Sequence, residues 1–242
     1  MWIKICGVTR AEDVATIVLS GADAIGFNFF PSSKRYVSNS IARVLAETAR
    51  QSAVDLPLVD LVGVFVNAEA NAIRTSVQEV GLSLIQLHGD ESVEQVSEIH
   101  RLCPDIPIVR AFRVDPRNIE HTLNDIDRLT AAVPLAAILL DAFVIGEYGG
   151  TGRPVDLSLL ERYPRQQRPP LILAGGLTPE NLALGVECSI VWGIDTASGV
   201  ESSPGIKDSA RVYEFVNAAR AATSDSGRLI HNARIGKPPS II

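Results

Sequence analysis

The 242-residue sequence predicts an α/β protein built as a single-domain (β/α)₈ barrel, the TIM-barrel fold, and three observations support this prediction. Eight short apolar runs rich in β-branched residues alternate with amphipathic stretches, which is the pattern of parallel strands joined by helices. The second to eighth runs begin roughly 20 to 35 residues apart, the length expected of one βα unit. Polar residues or glycine follow each of the eight runs, as expected where a barrel places its chemistry.

The predicted strands are short and apolar, as parallel strands buried on both faces are. They cover residues 3–6, 24–29, 61–66, 84–88, 108–112, 136–141, 171–174 and 190–194. The stretches between them have a helical period, and six of them follow a start signal: Thr9, Asn39-Ser40, Asn67, Asp90, Pro116 or Thr178-Pro179. The predicted helices cover residues 10–19, 41–50, 70–80, 91–102, 118–129, 157–163, 179–184 and 209–221.

A single domain accounts for all of these elements, and we place it at residues 1–222. Residues 223–242, which contain Ser, Gly, Asn and a Pro-Pro pair, are predicted to be a peripheral or disordered C-terminal extension. An open doubly wound sheet is the alternative architecture. The first strand is not followed by the GxGxxG turn typical of that fold, which favours the barrel.

Charge and cysteine content narrow the possible functions. Lys and Arg number 22 and Asp and Glu 28, a formal net charge of −6, which disfavours nonspecific binding to nucleic acid or to an anionic membrane surface. The three cysteines, Cys6, Cys103 and Cys188, match neither a disulfide framework nor a zinc site. With no signal-peptide pattern and no apolar run long enough to cross a bilayer, we expect a cytoplasmic protein.

Polar residues lie at the carboxyl ends of the predicted strands, where a barrel places its active site. The first strand is unusual, because Lys4 and Cys6 share one face of an otherwise apolar run. The other strand ends carry Asn28, Arg35, Asn67, Gln86, His88, Arg110, Arg113, Asp141, Gly175, Gly176 and the segment 195–201. This distribution predicts one functional site at that end of the barrel.

Two glycine-containing loops follow the seventh and eighth predicted strands. Gly175-Gly176 precedes the predicted helix 179–184, and Ser198-Gly199 lies after the eighth strand. Glycines let backbone N–H groups approach an anion, and these two loops form the usual phosphate site of such barrels. A helix cap and a surface turn are the alternative interpretation, but the two loops together favour phosphate binding.

Other strand-end residues are ambiguous when taken singly. Asp141 ends an apolar strand, where partial desolvation suits a general acid, and it is equally suited to cap the following turn. The glycine-rich segment 146–152 is either a lid or a long loop. Taken alone, His88 is expected to be structural, Arg35 a solvated surface residue and Cys6 a small buried residue.

Nine short motifs follow one another over about residues 1 to 220. They are KICG (4–7), GFNF (26–29) with SKRYV (33–37), GVFVN (63–67), QLHG (86–89), LD (140–141), GGTG (149–152), LAGGL (173–177), DTASGVE (195–201) and PGIKD (204–208). Each motif is short, but the nine in this order are specific. Together they resemble the phosphoribosylanthranilate isomerase family of tryptophan biosynthesis.

The resemblance implies a (β/α)₈ barrel that catalyses an Amadori rearrangement by general acid–base catalysis. The reaction converts N-(5′-phosphoribosyl)anthranilate to 1-(2-carboxyphenylamino)-1-deoxyribulose 5-phosphate and uses no metal and no organic cofactor. In this interpretation Cys6 is the general base and Asp141 the general acid. The expected partner is the small-molecule substrate, with no nucleic acid and no membrane, and the expected assembly is a monomer or homodimer.

The resemblance also implies roles for the other matching residues. Arg35 would bind the anthranilate carboxylate. Substrate-pocket residues would be Gln86, His88 and Asp195, and backbone groups of Gly175, Gly176, Ser198 and Gly199 would hold the phosphate. Ala197 replaces a serine that is frequent in the family, a change that a backbone donor tolerates. Lys4 would either favour the Cys6 thiolate or pair deeper in the barrel with a carboxylate.

Three other functions fit the barrel less well. The sister isomerase family of histidine biosynthesis has an Asp base on its first strand, where this chain has Cys6. A noncatalytic binding barrel has no need for both Cys6 and Asp141. A metal-dependent phosphosugar epimerase needs several His and Asp ligands at strand ends, and of the four histidines only His88 lies at one.

Overall fold

Short apolar runs of the sequence form the eight strands of a closed parallel barrel. The computed structural model describes residues 1–53, 56–114, 119–141, 162–163 and 168–225. Each strand pairs with the next in the chain, and the eighth strand pairs with the first, which confirms the predicted (β/α)₈ fold.

Strand bounds agree with the predicted ones to within two residues. The strands are β1 (Trp2–Cys6), β2 (Ala24–Asn28), β3 (Asp60–Phe65), β4 (Leu84–Leu87), β5 (Ile108–Arg113), β6 (Ala137–Asp141), β7 (Leu171–Ala174) and β8 (Val191–Thr196). The helices are α1 (Ala11–Ser20), α2 (Asn39–Ser52), α3 (Ala70–Val80), α4 (Val93–Leu102), α5 (Ile119–Ala132), α6 (Leu182–Glu187) and α7 (Ser209–Asp225). A 3₁₀ turn (Ser198–Val200) and a hairpin of β9 (Glu201–Ser203) and β10 (Ile206–Lys207) join β8 to α7.

Alternation along the strands divides the buried apolar side chains between two cores. One core lies between the barrel and the helices. The other fills the barrel and consists of Trp2, Ala24, Val62, Leu84, Val109, Ala111, Ala137, Leu139, Ile172 and Ala174. Lys4 and Cys6 follow Trp2 at a spacing of two, so they face the barrel interior. The unusual polar face of the first strand is therefore the face that lines the site.

Several predicted helix starts are wrong. Ser38, and not Asn39-Ser40, caps α2, and Ser92, and not Asp90, caps α4. Thr9 does not cap α1, because its hydroxyl donates to the carbonyl of Gly205 at 2.6 Å and so ties the end of β1 to the distant hairpin. The helix predicted from Pro179 begins at Leu182 instead. The reason is a turn stabilised by Asn181, whose Oδ1 accepts from the Thr178 N–H at 2.8 Å and whose Nδ2 donates to the Gly176 carbonyl at 3.0 Å.

The last helix continues through Asp225 and includes Thr223, which is buried and donates to the Ala219 carbonyl at 2.7 Å. Residues 226–242 lie outside the described residues, so the extension proposed there stays a prediction. The glycine-rich segment 146–152 and most of the predicted helix 157–163 also lie outside them. Across the described ranges, no helix is both long and apolar enough to cross a membrane.

Candidate active site

Strand register places Lys4 beside Asp195 inside the barrel. Lys4 of β1 is the pairing partner of Asp195 of β8, and its Nζ donates to Asp195 Oδ2 at 2.9 Å. Burial by itself lowers the pKa of Lys4, but the Asp195 carboxylate outweighs burial and raises it, so Lys4 is an ammonium. The structure thus shows the predicted pair with a barrel carboxylate, and Lys4 also lies close enough to Cys6 to act on the pKa of the thiol.

Cys6 ends β1 near this ion pair and is partly exposed. Gly26 of β2 is its pairing partner, and a Cβ at Gly26 would lie 2.8 Å from Cys6 Sγ, so the glycine leaves the space that the thiol occupies. Burial raises the pKa of Cys6, and the nearby cations Lys4 and Lys207 oppose this shift without reversing it. The free protein at neutral pH therefore holds Cys6 mainly as the thiol.

Arg35 follows β2 and forms a bidentate ion pair with Glu201 of β9. Its Nε and Nη2 donate to Glu201 Oε1 and Oε2 at 2.8 and 2.6 Å. Lys207 of β10 donates to Glu201 Oε1 at 2.8 Å. Burial by itself raises the pKa of Glu201, but the two cations outweigh it and the pKa is lowered. Glu201 is therefore an anion shared by two cations.

Gly7 allows Arg35 to cross the end of β1. The backbone of Gly7 has a φ of 72°, in the left-handed region that favours glycine, and a Cβ there would collide with the Arg35 side chain. The Arg35 side chain is 25% exposed, so it lies in the site and is not fully solvated. Its Nη1 has no hydrogen-bond partner among the described residues and remains able to bind an anion.

His88 connects Gln86 to Asp141 across the mouth of the barrel. Gln86 Nε2 lies 3.1 Å from His88 Nδ1, and His88 Nε2 lies 3.5 Å from Asp141 Oδ2. The side chains of His88 and Asp141 are 21% and 25% exposed, whereas Gln86 is buried. Gln86 therefore contacts the open part of the site through His88.

The loops after β7 and β8 lie against each other, as a shared phosphate site requires. Thr196 Oγ1 donates to the Leu177 carbonyl at 2.7 Å, and Gly199 packs so closely on that carbonyl that a Cβ would collide with it. Gly175 and Gly176 have φ values of 98° and 65°, both in the left-handed region. α6 begins at Leu182, so no helix N-terminus directly follows Gly176. An anion at this position would therefore be bound by backbone groups of the two loops.

Arg110 and Asn67, two other strand-end residues, belong to a supporting network. Arg110 is buried and donates to the carbonyls of Leu87 and Gly89 at 3.1 and 3.0 Å. Its Nη1 also lies 3.3 Å from Glu91, whose carboxylate accepts the Asn67 N–H at 2.8 Å. These contacts fix the loop that carries His88. Arg113 is exposed at the end of β5.

Glu201 and Lys207 lie in the site, although the sequence alone assigned them no individual role. Both lie in quoted motifs and flank the Pro204-Gly205 turn, which is a hairpin signal with one charge on each arm. Within the described part of the chain, no group of three or more His, Cys, Asp or Glu side chains is arranged to hold a metal ion. The mouth combines a thiol, a carboxyl group beside an imidazole, and an arginine, a set that fits general acid–base chemistry on an anionic substrate.

Comparison with known sequences identifies related proteins of one activity. The family described as N-(5′-phosphoribosyl)anthranilate (PRA) isomerase matches residues 3–218. A relative from Ralstonia nicotianae named N-(5′-phosphoribosyl)anthranilate isomerase is 40% identical over 231 residues, which is 93% of this chain and 95% of the relative. One from Pseudomonas aeruginosa with the same name is 43% identical and covers 92% of this chain and 97% of its own length.

Solved structures agree with the sequence relatives. Phosphoribosyl anthranilate isomerase from Thermotoga maritima superposes with a TM-score of 0.76 at 38% identity, covering 91% of this chain and 99% of its own. A phosphoribosyl anthranilate isomerase in complex with reduced 1-(o-carboxyphenylamino)-1-deoxyribulose 5-phosphate gives a TM-score of 0.73 at 36% identity, with coverage of 91% and 99%.

Proposed function

The chain belongs to the N-(5′-phosphoribosyl)anthranilate isomerase family, and on that premise we propose how its residues divide the reaction between them. The chain is an isomerase of tryptophan biosynthesis that converts N-(5′-phosphoribosyl)anthranilate to 1-(2-carboxyphenylamino)-1-deoxyribulose 5-phosphate by an Amadori rearrangement. One observation carries the proposed division: Cys6 and Asp141 end two different strands and face the same mouth of the barrel.

Asp141 acts as the general acid that opens the furanose ring. It donates a proton to the ring oxygen as the bond from that oxygen to C1′ breaks, which leaves an iminium ion between C1′ and the anthranilate nitrogen. Its partial exposure lets it recover a proton from solvent, and His88 lies 3.5 Å away to orient it. A positioned acid of this kind accelerates proton transfer by about 10²–10⁴-fold.

Cys6 acts as the general base that removes the proton from C2′. The iminium ion acidifies this C–H bond, so the bond electrons move to form an enolamine and the nitrogen becomes neutral. The enolamine then tautomerises to the ketone of the product. The base must be a thiolate at that moment, and Lys4 and Lys207 are the cations that favour the thiolate against burial.

Different groups of the protein bind the carboxylate and the phosphate of the substrate. Arg35 binds the anthranilate carboxylate through the Nη1 that Glu201 leaves available. Backbone groups of Gly175, Gly176, Ser198 and Gly199 bind the phosphate, since these loops meet at the Leu177 carbonyl. Asp195, whose side chain is 8% exposed beside Lys4, lines the substrate pocket at the end of β8.

The oligomeric state and the location of the enzyme are proposed from the same family membership. One solved Thermotoga maritima structure is described as mutually generated monomers of a dimeric phosphoribosylanthranilate isomerase. For this chain we propose a cytoplasmic monomer or homodimer that acts on the small molecule without a cofactor.

The test of these roles is the decay of anthranilate-type fluorescence when purified protein meets freshly generated phosphoribosylanthranilate. Cys6→Ala and Asp141→Asn are each expected to lose about 10²–10⁴-fold in kcat. Cys188→Ala is the matched control, because Cys188 precedes β8 at the opposite end of the barrel. Decay that survives in either catalytic variant at the parent rate would remove that residue from the mechanism.

A further inference from the structure

Lys207 is a buried cation at the junction of three functional segments. Its Nζ donates to the Cys6 carbonyl at 2.6 Å, to the Ala197 carbonyl at 3.1 Å and to Glu201 Oε1 at 2.8 Å. The Lys207 side chain is 1% exposed, so it does not itself reach the open pocket. It connects the base on β1, the loop after β8 and the partner of Arg35.

The three contacts require the charged form of Lys207. A neutral amine has two N–H bonds, whereas the three oxygen acceptors around Nζ call for three donors and therefore an ammonium. The cluster of Arg35, Glu201 and Lys207 accordingly carries two positive charges and one negative charge. Its net charge is +1, and its only appreciably exposed member is Arg35, because the Glu201 side chain is 4% exposed.

Without Lys207 the cluster would suit a carboxylate poorly. A bidentate Arg35–Glu201 pair is neutral as a unit, and a substrate carboxylate approaching Nη1 would also approach the Glu201 anion. With Lys207 present, Glu201 can fix the plane of the Arg35 guanidinium while the Lys207 ammonium balances the negative charge of Glu201. Glu201 then orients the Arg35 guanidinium, and Lys207 supplies the positive charge that balances the Glu201 carboxylate.

We propose that Lys207 is a positioning residue for carboxylate recognition, whose ammonium neutralises Glu201 so that Arg35 keeps a positive charge for the anthranilate carboxylate. This inference rests on the proposed role of Arg35. It assigns to the PGIKD motif a function in substrate affinity that acts through Glu201 and Arg35, with no direct contact between Lys207 and the substrate.

The experiment measures KM and kcat for phosphoribosylanthranilate in Lys207→Met and in the double variant Glu201→Gln/Lys207→Met. We expect Lys207→Met to raise KM at least about tenfold, the effect of weakening one charge-assisted contact. The double variant restores the net charge of +1 but loses the carboxylate that orients Arg35, so its KM should fall clearly below that of Lys207→Met without reaching the parent value. Inhibition by inorganic phosphate serves as the control, because it reports the other end of the site.

Three outcomes would overturn the proposal. A double variant whose KM is as high as that of Lys207→Met, or higher, would show that Lys207 acts only as a structural link. If Lys207→Met weakened the binding of substrate and of inorganic phosphate equally, Lys207 would likewise act only as a structural link. An unchanged KM in Lys207→Met alongside a raised KM in Arg35→Met would reject Lys207 while leaving the role of Arg35 intact.

Two further variants keep the test decisive. An unchanged KM in Arg35→Met would reject the proposed role of Arg35 itself, which separates failure of that role from failure of the inference. Should Lys207→Met not fold, Lys207→Gln removes the charge and keeps an N–H donor at this position. A KM raised at least about tenfold in Lys207→Gln would then support the proposal, and a KM equal to the parent value would overturn it.

Discussion

The two sides of the barrel mouth differ in how they hold their charged groups. On the side of Cys6, two buried ion pairs lie close to this residue: Lys4–Asp195 on the neighbouring strands, and Lys207–Glu201, whose Lys207 donates to the Cys6 carbonyl. On the side of Asp141, the carboxyl group is partly exposed and faces a single imidazole. Both reacting side chains are partly exposed, but the charged residues near Cys6 are buried and paired, whereas Asp141 has an imidazole beside it.

The difference corresponds to the two protons that the reaction moves. Removal of a proton from carbon is accelerated by a base held in fixed geometry, and for a cysteine base nearby cations favour the thiolate that must act. A proton delivered to oxygen must be replaced after every turnover, which is simplest for an acid that solvent can reach. The fold thus places the base beside buried ion pairs and the acid where solvent can return its proton.

Removing one member of a buried pair should have the largest effect on stability. Lys4→Met leaves Asp195 buried without its cation, and we expect the free energy of unfolding to fall by about 3–5 kcal/mol. Urea unfolding measures this loss. The same variant should raise the pKa of Cys6 further, because Lys4 opposes the effect of burial, and the rate of Cys6 alkylation against pH reports it.

The double variant Lys4→Met/Asp195→Leu is the control for that loss. An apolar pair in place of the ions removes the uncompensated charge, so much of the lost stability should return. If the double variant were as unstable as Lys4→Met, the loss would come from packing and the buried pair would not define this side of the mouth.

On the open side, removing one neutral contact should have a smaller effect. Gln86→Leu frees His88 Nδ1 from its 3.1 Å contact, and we expect kcat to fall by about tenfold or less, because a single hydrogen bond is worth about 0.5–1.5 kcal/mol. The fluorescence assay measures kcat. Since Gln86 acts through His88, adding Gln86→Leu to His88→Ala should change nothing more. An additive loss would mean that Gln86 contributes independently of His88.

The smallest expected effect is the acid sensitivity of the buried side. The pKa of Glu201 is lowered in the folded protein, so its pairing stabilises the fold above its unfolded pKa of about 4.3 and this contribution is lost as pH falls below that value. The difference in unfolding free energy between the parent and Glu201→Gln should therefore shrink from pH 7 to pH 3. A difference that stays constant would show that ionisation of Glu201 does not stabilise the fold.

The sequence predicts well what local patterns determine. Apolar runs locate all eight strands, and a spacing of two places Lys4 and Cys6 on one face, which the structure shows to be the barrel interior. Register then explains the Lys4–Asp195 pair, because parallel pairing of β1 with β8 puts the two residues side by side. Both steps need only the period of a strand and the closure of the barrel.

Contacts made by side chains across the chain could not be predicted in this way. Lys207 reaches a carbonyl 201 positions away, and Thr9 reaches one 196 positions away, so nothing adjacent in sequence indicates either contact. The start of α6 was missed for a local reason, since Thr178-Pro179 is a strong helix signal but Asn181 forms a competing turn. The roles of Glu201 and Lys207 emerge only when the hairpin is folded over the end of β1.

The central claim is that Cys6 takes the carbon proton and Asp141 supplies the oxygen proton. The measurement that tests it most directly is the primary isotope effect on kcat with substrate deuterated at C2′, in Cys6→Ser and Asp141→Asn. Weakening the base should make proton abstraction limiting, so the isotope effect should rise above the parent value in Cys6→Ser. Weakening the acid should make ring opening limiting, so the effect should approach unity in Asp141→Asn. The reverse pattern, or equal effects in both variants, would contradict the division of roles between the two sides.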